Sequence, residues 1–280
     1  MLALSAKSVS EADVIAGILA LMHERTGYDF SSYRAQTIRR RIRNRMISVG
    51  IHTLTDYLVH LKSVETEASE LLDRLTVKVS HFYRNAHTFD MLREEVLPGL
   101  YQRFGGPLRI WSAGCARGEE PYTLALLLEA AGIPGTVLAT DIDEAALRAA
   151  RRGIYFRDSL RELPESLIGT GLEPVPGDER HVRVRPALRR RVHFQVHDVT
   201  GTALPLGTTD FHMISYRNVL IYLQREVQER TLLQMRAVLR DGGCLCLGEA
   251  EWPPPSVACS LSPLPQRSRL FEAIAAEPIA

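Results

Sequence analysis

The residues best placed to do chemistry follow the apolar run Leu108 to Trp111, where a turn of small residues, Ser112 to Cys115, leads to two adjacent carboxylates, Glu119 and Glu120. The turn holds a single glycine, Gly114, before Gly118, so it lacks the three-glycine dinucleotide fingerprint and disfavours a nicotinamide enzyme. A second apolar run, Thr136 to Ala139, closes on Asp141. In a doubly wound sheet an acid at that position is placed to accept hydrogen bonds from the hydroxyls of a ribose, which points to a nucleoside. Without pyrophosphate the demand for glycine relaxes. A nucleoside carrying a sulfonium and an amino-acid tail would instead favour carboxylates such as Glu119 and Glu120. Plainer readings stand beside these: Asp141 as a cap for a helix beginning at Glu144, and Glu119 with Glu120 as complements to a helix dipole.

The remaining reactive side chains read as bland. His81, His87, His193, His197 and His212 form no close ligand pair, so no metal site is expected. Cys115, Cys244, Cys246 and Cys259 have neither zinc spacing nor the density of a secreted disulfide scaffold, and they fit a reducing cytoplasm. In an alternating strand Cys244 and Cys246 would face one side and pack as small apolar groups.

These residues need elements to hold them. From Val9 to about Phe104 apolar residues recur at helical spacing, as in Val14, Ile18 and Leu21 and again in Leu54, Tyr57, Leu58 and Leu61, which predicts a helical domain over 9–90. Within it, Thr37 to Val49 places Ile38, Ile42, Met46 and Val49 on one stripe and Arg39, Arg40, Arg41, Arg43 and Arg45 around the rest, with no acid among them. From Pro107 strands alternate with helices, which predicts a parallel, Rossmann-like α/β domain over 91–280. Helices are expected from Glu119 to Ala131, through Leu147 to Arg151, and from Arg225 to Arg240. Strands are expected at Val192 to Val196, at Phe211 to Tyr216, after the turn Asp241 to Gly243, and near Arg269 to Ile274. Between 157 and 190 prolines and glycines interrupt any long element while His181 to Val184 alternates, so a small antiparallel β insertion is expected there.

Bulk properties exclude several classes. The chain has 280 residues with 34 Lys and Arg against 33 Asp and Glu, a net charge of +1, so no global attraction to nucleic acid or an anionic membrane is expected. Met1 to Ala20 carries Lys7, Glu11 and Asp13 and reads as neither signal peptide nor membrane span, and no later run reaches membrane length.

Five segments in order resemble those of CheR-type chemotaxis protein methyltransferases: Leu75 to Arg84 (LTVKVSHFYR), Trp111 to Thr123 (WSAGCARGEEPYT), Ala139 to Asp143 (ATDID), His197 to Val199 (HDV) and Ser215 to Tyr222 (SYRNVLIY). The likeness runs from about Gly27 to Phe271. It implies S-adenosylmethionine as cofactor, S-adenosylhomocysteine as product, and methyl esterification of glutamate side chains by in-line attack of the carboxylate on the sulfonium methyl. It further implies that Ser80, Arg84, Gly114, Glu120, Asp141, Asp198, Val199, Arg217 and Asn218 line the cofactor pocket, with Glu120 at the methionine ammonium. Arg84 and Tyr222 match the residues beside the transferred methyl and are the catalytic candidates. Lys78 stands where many members carry asparagine, and Tyr216 where many carry cysteine.

With no acid nearby in the sequence, Arg39, Arg40, Arg43 and Arg45 read either as a solvated face or as a surface that draws in a glutamate-rich helix, and the resemblance points to the second: docking of a chemoreceptor cytoplasmic domain or another glutamate-bearing signalling protein. The enzyme is expected to be a cytoplasmic monomer. Gly27 to Tyr33 (GYDFSSY) with Thr37 to Ile42 (TIRRRI) particularly resembles members fused to, or encoded beside, sensor modules outside the main chemotaxis pathway. The insertion resembles a subdomain that in some members adds a strand from a receptor's tail peptide. Two other readings are a methyltransferase for a different substrate and a non-catalytic S-adenosylmethionine-binding adaptor; the latter predicts loss of Arg84 or Tyr222, and both are present.

Overall fold

Capping residues mark two of the helix starts in the first part of the chain. The computed structural model describes residues 10–76, 80–205, 210–264 and 269–275. It divides into two units, Met1–Val77 with Tyr222–Gln224, and Lys78–Ile221 with Arg225–Ala280.

The first unit contains α1 (Glu11–Thr26), α2 (Ala35–Ser48), α3 (Leu54–Ser63) and α4 (Glu67–Leu75). Ser10 and Asp13 form a reciprocal capping box at the start of α1, and Gly27 at φ 78° ends it in the left-handed region that glycine tolerates. Thr53 caps α3 through the Asp56 N–H. Helix α2 has no side-chain N-cap, so burial must hold it: Ile38, Ile42 and Met46 pack with Ile18, Met22, Tyr57, Leu61 and Leu71. Arg41 is buried as well, which the apolar stripe does not foretell.

In the second unit α5 (Ala86–Met91) continues through a π turn into α6 (Leu97–Phe104), followed by β1 (Leu108–Ala113), α7 (Glu119–Ala130), β2 (Gly135–Asp141), α8 (Glu144–Arg152) and β3 (Ile154–Phe156). Next come α9 (Glu165–Gly171), β4 (Leu172–Val175), β5 (Asp178–Val184), α10 (Pro186–Arg189), β6 (Val192–Val196) and β7 (Phe211–Tyr216). The chain closes with α11 (Arg225–Val238), β8 (Leu239–Leu247), α12 (Pro255–Ala258), β9 (Leu261–Pro263) and β10 (Leu270–Ala273).

The main sheet has the order β6-β2-β1-β7-β8-β10-β9. Its first five strands are parallel neighbours, and β10 pairs antiparallel with both β8 and β9. Every residue of β7 is buried, as a strand covered on both faces requires. The Rossmann-like expectation holds. From β1 the chain steps outward through β2 to β6 and then crosses back to β7 on the other side, so the strand order reverses between β1 and β7.

The antiparallel insertion is also present, as a three-stranded sheet β3-β5-β4 that begins slightly before residue 157. Helix α9 forms within it despite Gly169 and Gly171. A Cβ on Gly171 would come within 2.7 Å of Leu188 and 2.8 Å of Leu126, so that glycine allows close packing. Among the described residues no helix is long and apolar enough to cross a membrane.

Candidate cofactor and active site

Loops at the C-terminal ends of β1, β2, β6 and β7 meet where the strand order reverses, the place where open α/β sheets bind ligands. After β1, Gly114 takes φ 73°, and a Cβ there would lie 2.6 Å from Val219 Cγ2. The loop after β7 therefore dictates glycine at 114 before any ligand is considered. The Gly114 and Cys115 N–H groups both donate to the Thr140 carbonyl, holding the turn against the end of β2.

Asp141 is anchored by the same turn. Its Oδ2 accepts the Ala116 N–H at 2.7 Å and its Oδ1 the Asp143 N–H at 2.9 Å. The cap of α8 is Asp143, which accepts the Ala146 N–H at 3.0 Å, so Asp141 is not the helix cap. A carboxylate has about four lone-pair sites, so these two bonds alone do not fill it. From the neighbouring strand the His197 N–H donates to the Asp141 carbonyl at 3.0 Å, which sets Asp198 and Val199 beside it. Asp198 Oδ1 is bonded within its own turn, to the Thr200 N–H and hydroxyl, and the Val199 carbonyl accepts from Thr231 Oγ1. Trp111 and His197 stand with ring centroids 6.1 Å apart, and burial pulls the His197 pKa below the ordinary value.

Glu120 and Arg217 are brought together. Glu120 accepts from Ser112 Oγ at 2.8 Å and from Arg217 at 3.2 Å. Arg217 also donates to the Arg84 carbonyl and to Asn85 Oδ1, each at 2.8 Å, and lies over the Phe89 ring at 5.0 Å. With 6% of its surface exposed, this cation joins the ends of β1 and β7 to the segment carrying Arg84. Ser80, half-buried, opens that segment, and Val77 to Val79, including Lys78, lie outside the described residues.

Backbone strain concentrates here. Tyr83, Asn85, Ala116 and Asn218 adopt φ of 60°, 68°, 48° and 61°, a region that costs roughly 1–3 kcal/mol for residues with a Cβ. Each is held by a specific bond: Tyr83 N–H to Thr123 Oγ1, Asn85 N–H to Glu162 Oε2, Ala116 N–H to Asp141 and Asn218 N–H to Glu251.

Two of those anchors escape a reading of the sequence. Glu251, 3% exposed, accepts N–H groups from Gly248 at 2.7 Å, Asn218 at 2.9 Å and Ile221 at 3.3 Å, fixing the loop after β7 to the end of β8. Burial pushes its carboxyl up, against those backbone bonds. Glu162 bonds His81 at 2.7 Å and the Asn85 N–H at 3.0 Å, and these bonds outweigh burial and hold it below the usual carboxylate range. The one sequence signal for Glu251 is its place, an acid four residues after a buried strand.

Glu119 differs from its neighbour. It is 5% exposed, its Oε2 has no hydrogen-bond partner, and burial pushes its carboxyl up to about 7. Burial also raises the Cys115 thiol well above its ordinary value, which leaves no thiolate nucleophile in the turn. Cys244 and Cys246 are buried in β8.

Tyr222 belongs to the first unit, where the Arg41 guanidinium lies over its ring at 4.7 Å and its carbonyl accepts the Arg34 N–H at 2.8 Å. Arg41 also donates to the Leu75 carbonyl. The arginines of α2 do have acids nearby, contrary to the sequence pattern, because other helices supply them. Arg39 and Arg43 reach Glu11 at 3.4 and 3.0 Å, and Arg45 reaches Glu67 at 2.7 Å and Glu70 at 3.3 Å. Glu67, 2% exposed, also accepts from Tyr57 Oη at 2.6 Å; the bonds from Arg45 and Tyr57 outweigh burial and keep it ionised. Arg40 is exposed and enters no ion pair among the described residues.

Residues 78–259 match the family described as CheR methyltransferase, SAM binding domain, and residues 14–76 match CheR methyltransferase, all-alpha domain. A chemotaxis protein methyltransferase of Listeria monocytogenes is 34% identical over 229 residues, covering 80% of this chain and 84% of that protein. One from Klebsiella aerogenes is 34% identical over 246 residues, covering 84% and 81%. An uncharacterized 104.1 kDa protein of Rhodobacter capsulatus is 31% identical over 271 residues, 94% of this chain and 28% of that protein.

Proposed function

Because the chain belongs to the CheR methyltransferase family and is an S-adenosylmethionine-dependent methyltransferase, we propose that it esterifies glutamate side chains on a chemoreceptor cytoplasmic domain or a related signalling protein. What supports this reading is the crevice between β1 and β7, where the loops hold the carboxylates of Asp141 and Glu120, groups that suit a nucleoside and a cationic tail, while Arg217 secures the loops. Asp141 takes the ribose hydroxyls and Glu120 the methionine ammonium, for which its oxygens retain acceptor sites. Ser80, Gly114, Asp198, Val199 and Asn218 complete the pocket.

When bound, S-adenosylmethionine supplies an electrophilic sulfonium methyl that a carboxylate oxygen takes by in-line displacement, leaving S-adenosylhomocysteine. The substrate glutamate has an ordinary pKa of about 4.3, so it is already ionised at neutral pH and no general base is needed. The protein must align that carboxylate and strip it of water without protonating it. Burial alone would raise its pKa. A cation offsets that rise, which is the part assigned to Arg84, with Tyr222 donating a phenolic hydrogen bond. The exposed Arg39, Arg40 and Arg43 would draw in a glutamate-rich helix, whereas Arg45 is committed to Glu67. With a receptor's cytoplasmic domain as its substrate, the enzyme works in the cytoplasm.

The test is transfer of labelled methyl from S-adenosylmethionine to a glutamate-rich receptor cytoplasmic domain, scored as alkali-labile counts, with Arg84→Ala as control. Alkali-labile label from the wild type alone is expected. Cofactor binding without labelling of any such protein would point to the adaptor or to a different substrate.

A further inference from the structure

On the edge-strand side of the second unit's main sheet lies a pocket of about 360 Å³. Its floor is apolar, made by Tyr122 of α7 with Val192 and Phe194 of β6, and its rim carries Arg151, Arg189 and Arg190. The volume falls within the range of small-molecule sites. The rim is unusual in charge. None of these three arginines has a carboxylate partner among the described residues, whereas Arg191, next in the chain, pairs with Glu129 at 2.7 Å.

Two of the three are positioned by the backbone: Arg151 donates to the Phe194 carbonyl and Arg189 to the Arg151 carbonyl. Each keeps further N–H donors. Three guanidinium groups lining one pocket without a carboxylate partner among the described residues favour an anion. Guanidinium forks match phosphate oxygens in bidentate fashion, and their planes, like the face of Phe194, stack on flat rings. Phosphate at the rim and an aromatic base on the floor together describe a nucleotide.

The floor is continuous with the turn that opens α7. Tyr122 and Phe194 pack edge to face at 5.6 Å, and a Cβ on Gly118 would lie 2.8 Å from Ala150 and 3.3 Å from Phe194. Tyr155, whose ring meets that of Tyr122 at 6.1 Å, donates to the Arg117 carbonyl at 2.7 Å. Phe194 and Tyr122 thus form a contiguous path to Arg117 and Gly118.

We propose that this pocket binds a nucleoside phosphate and that its occupancy changes the affinity of the cofactor turn. The coupling rests on the cofactor lying at Gly114 to Glu120, whereas the pocket itself does not. The experiment is calorimetric titration of GMP, guanosine and inorganic phosphate into protein saturated with S-adenosylhomocysteine; guanine is chosen because adenine would compete for the nucleoside crevice. GMP is expected to bind at least about tenfold more tightly than guanosine or phosphate alone. Arg190→Glu, at an exposed side chain that bonds nothing among the described residues, and Arg151→Ala are each expected to weaken GMP by about tenfold or more. Absence of GMP binding to the wild type, or binding that both variants retain, would overturn the site. Phosphate binding as tightly as GMP would overturn the nucleotide class. A several-fold change in S-adenosylhomocysteine affinity with saturating GMP is expected through linkage, and equal affinities would overturn the coupling. Failure of S-adenosylhomocysteine to bind at all would count against the proposed enzyme, a result separate from GMP binding.

Discussion

Glu119 and Glu120 are adjacent in the chain and opposite in circumstance. Glu120 is ion-paired and hydrogen-bonded, so its charge is supported, while Glu119 is buried with one oxygen unpaired and its pKa raised to about 7. An acid whose folded pKa lies above its unfolded value near 4.5 binds more protons in the folded state between those two pH values. Stability must therefore fall as pH rises through that window, by a total of about 3 kcal/mol at most. Glu119→Gln removes the ionisation while keeping the shape. Denaturation midpoints should show the variant gaining on the wild type steadily as pH rises from about 4.5 to about 7, and levelling off above that. A difference that does not change with pH would mean that Glu119 is not the group responsible.

At the scale of the element, α2 combines two kinds of arginine that look alike in sequence. Arg45, with 12% of its side chain exposed, neutralises Glu67, whose side chain is 3% exposed, whereas Arg40 is exposed and unpaired among the described residues. Arg45→Ala should leave a buried, uncompensated carboxylate and cost about 3–5 kcal/mol in denaturant unfolding. Arg40→Glu should change stability by less than about 0.5 kcal/mol and yet slow methyl transfer to a receptor domain. Equal stability losses in the two variants would contradict this division. The contrast also shows what a sequence can carry. The β1 turn into α7 was legible because its apolar run, glycine and following helix are contiguous, and the stripe Ile38, Ile42, Met46 because it repeats at helical spacing. The partners of the arginines were not, since Glu11 and Glu67 sit on other helices. Strand β9 is three residues long with a proline, too short for a period to register. Glu251 acts on residues some thirty positions away, through backbone N–H groups that have no side-chain signature.

At the scale of the whole molecule, 34 basic and 33 acidic residues nearly cancel, so no net field guides a partner from a distance. Steering of a glutamate-rich helix by the exposed side of α2 is local, operating within a Debye length, about 10 Å at 0.1 M salt. The cofactor crevice is different in kind, since Glu120 and Arg217 are 15% and 2% exposed at the side chain and poorly screened. Raising ionic strength should therefore separate the two steps. Between about 0.05 and 0.5 M sodium chloride, kcat/KM for the protein substrate should fall several-fold, while S-adenosylhomocysteine affinity measured by calorimetry should change by less than about twofold. Charge reversal at Arg40 should flatten the first dependence and leave the second alone. A kcat/KM that did not respond to salt would remove α2 as the docking surface and direct attention to the edges of the three-stranded sheet, where pairing through backbone hydrogen bonds depends little on ionic strength.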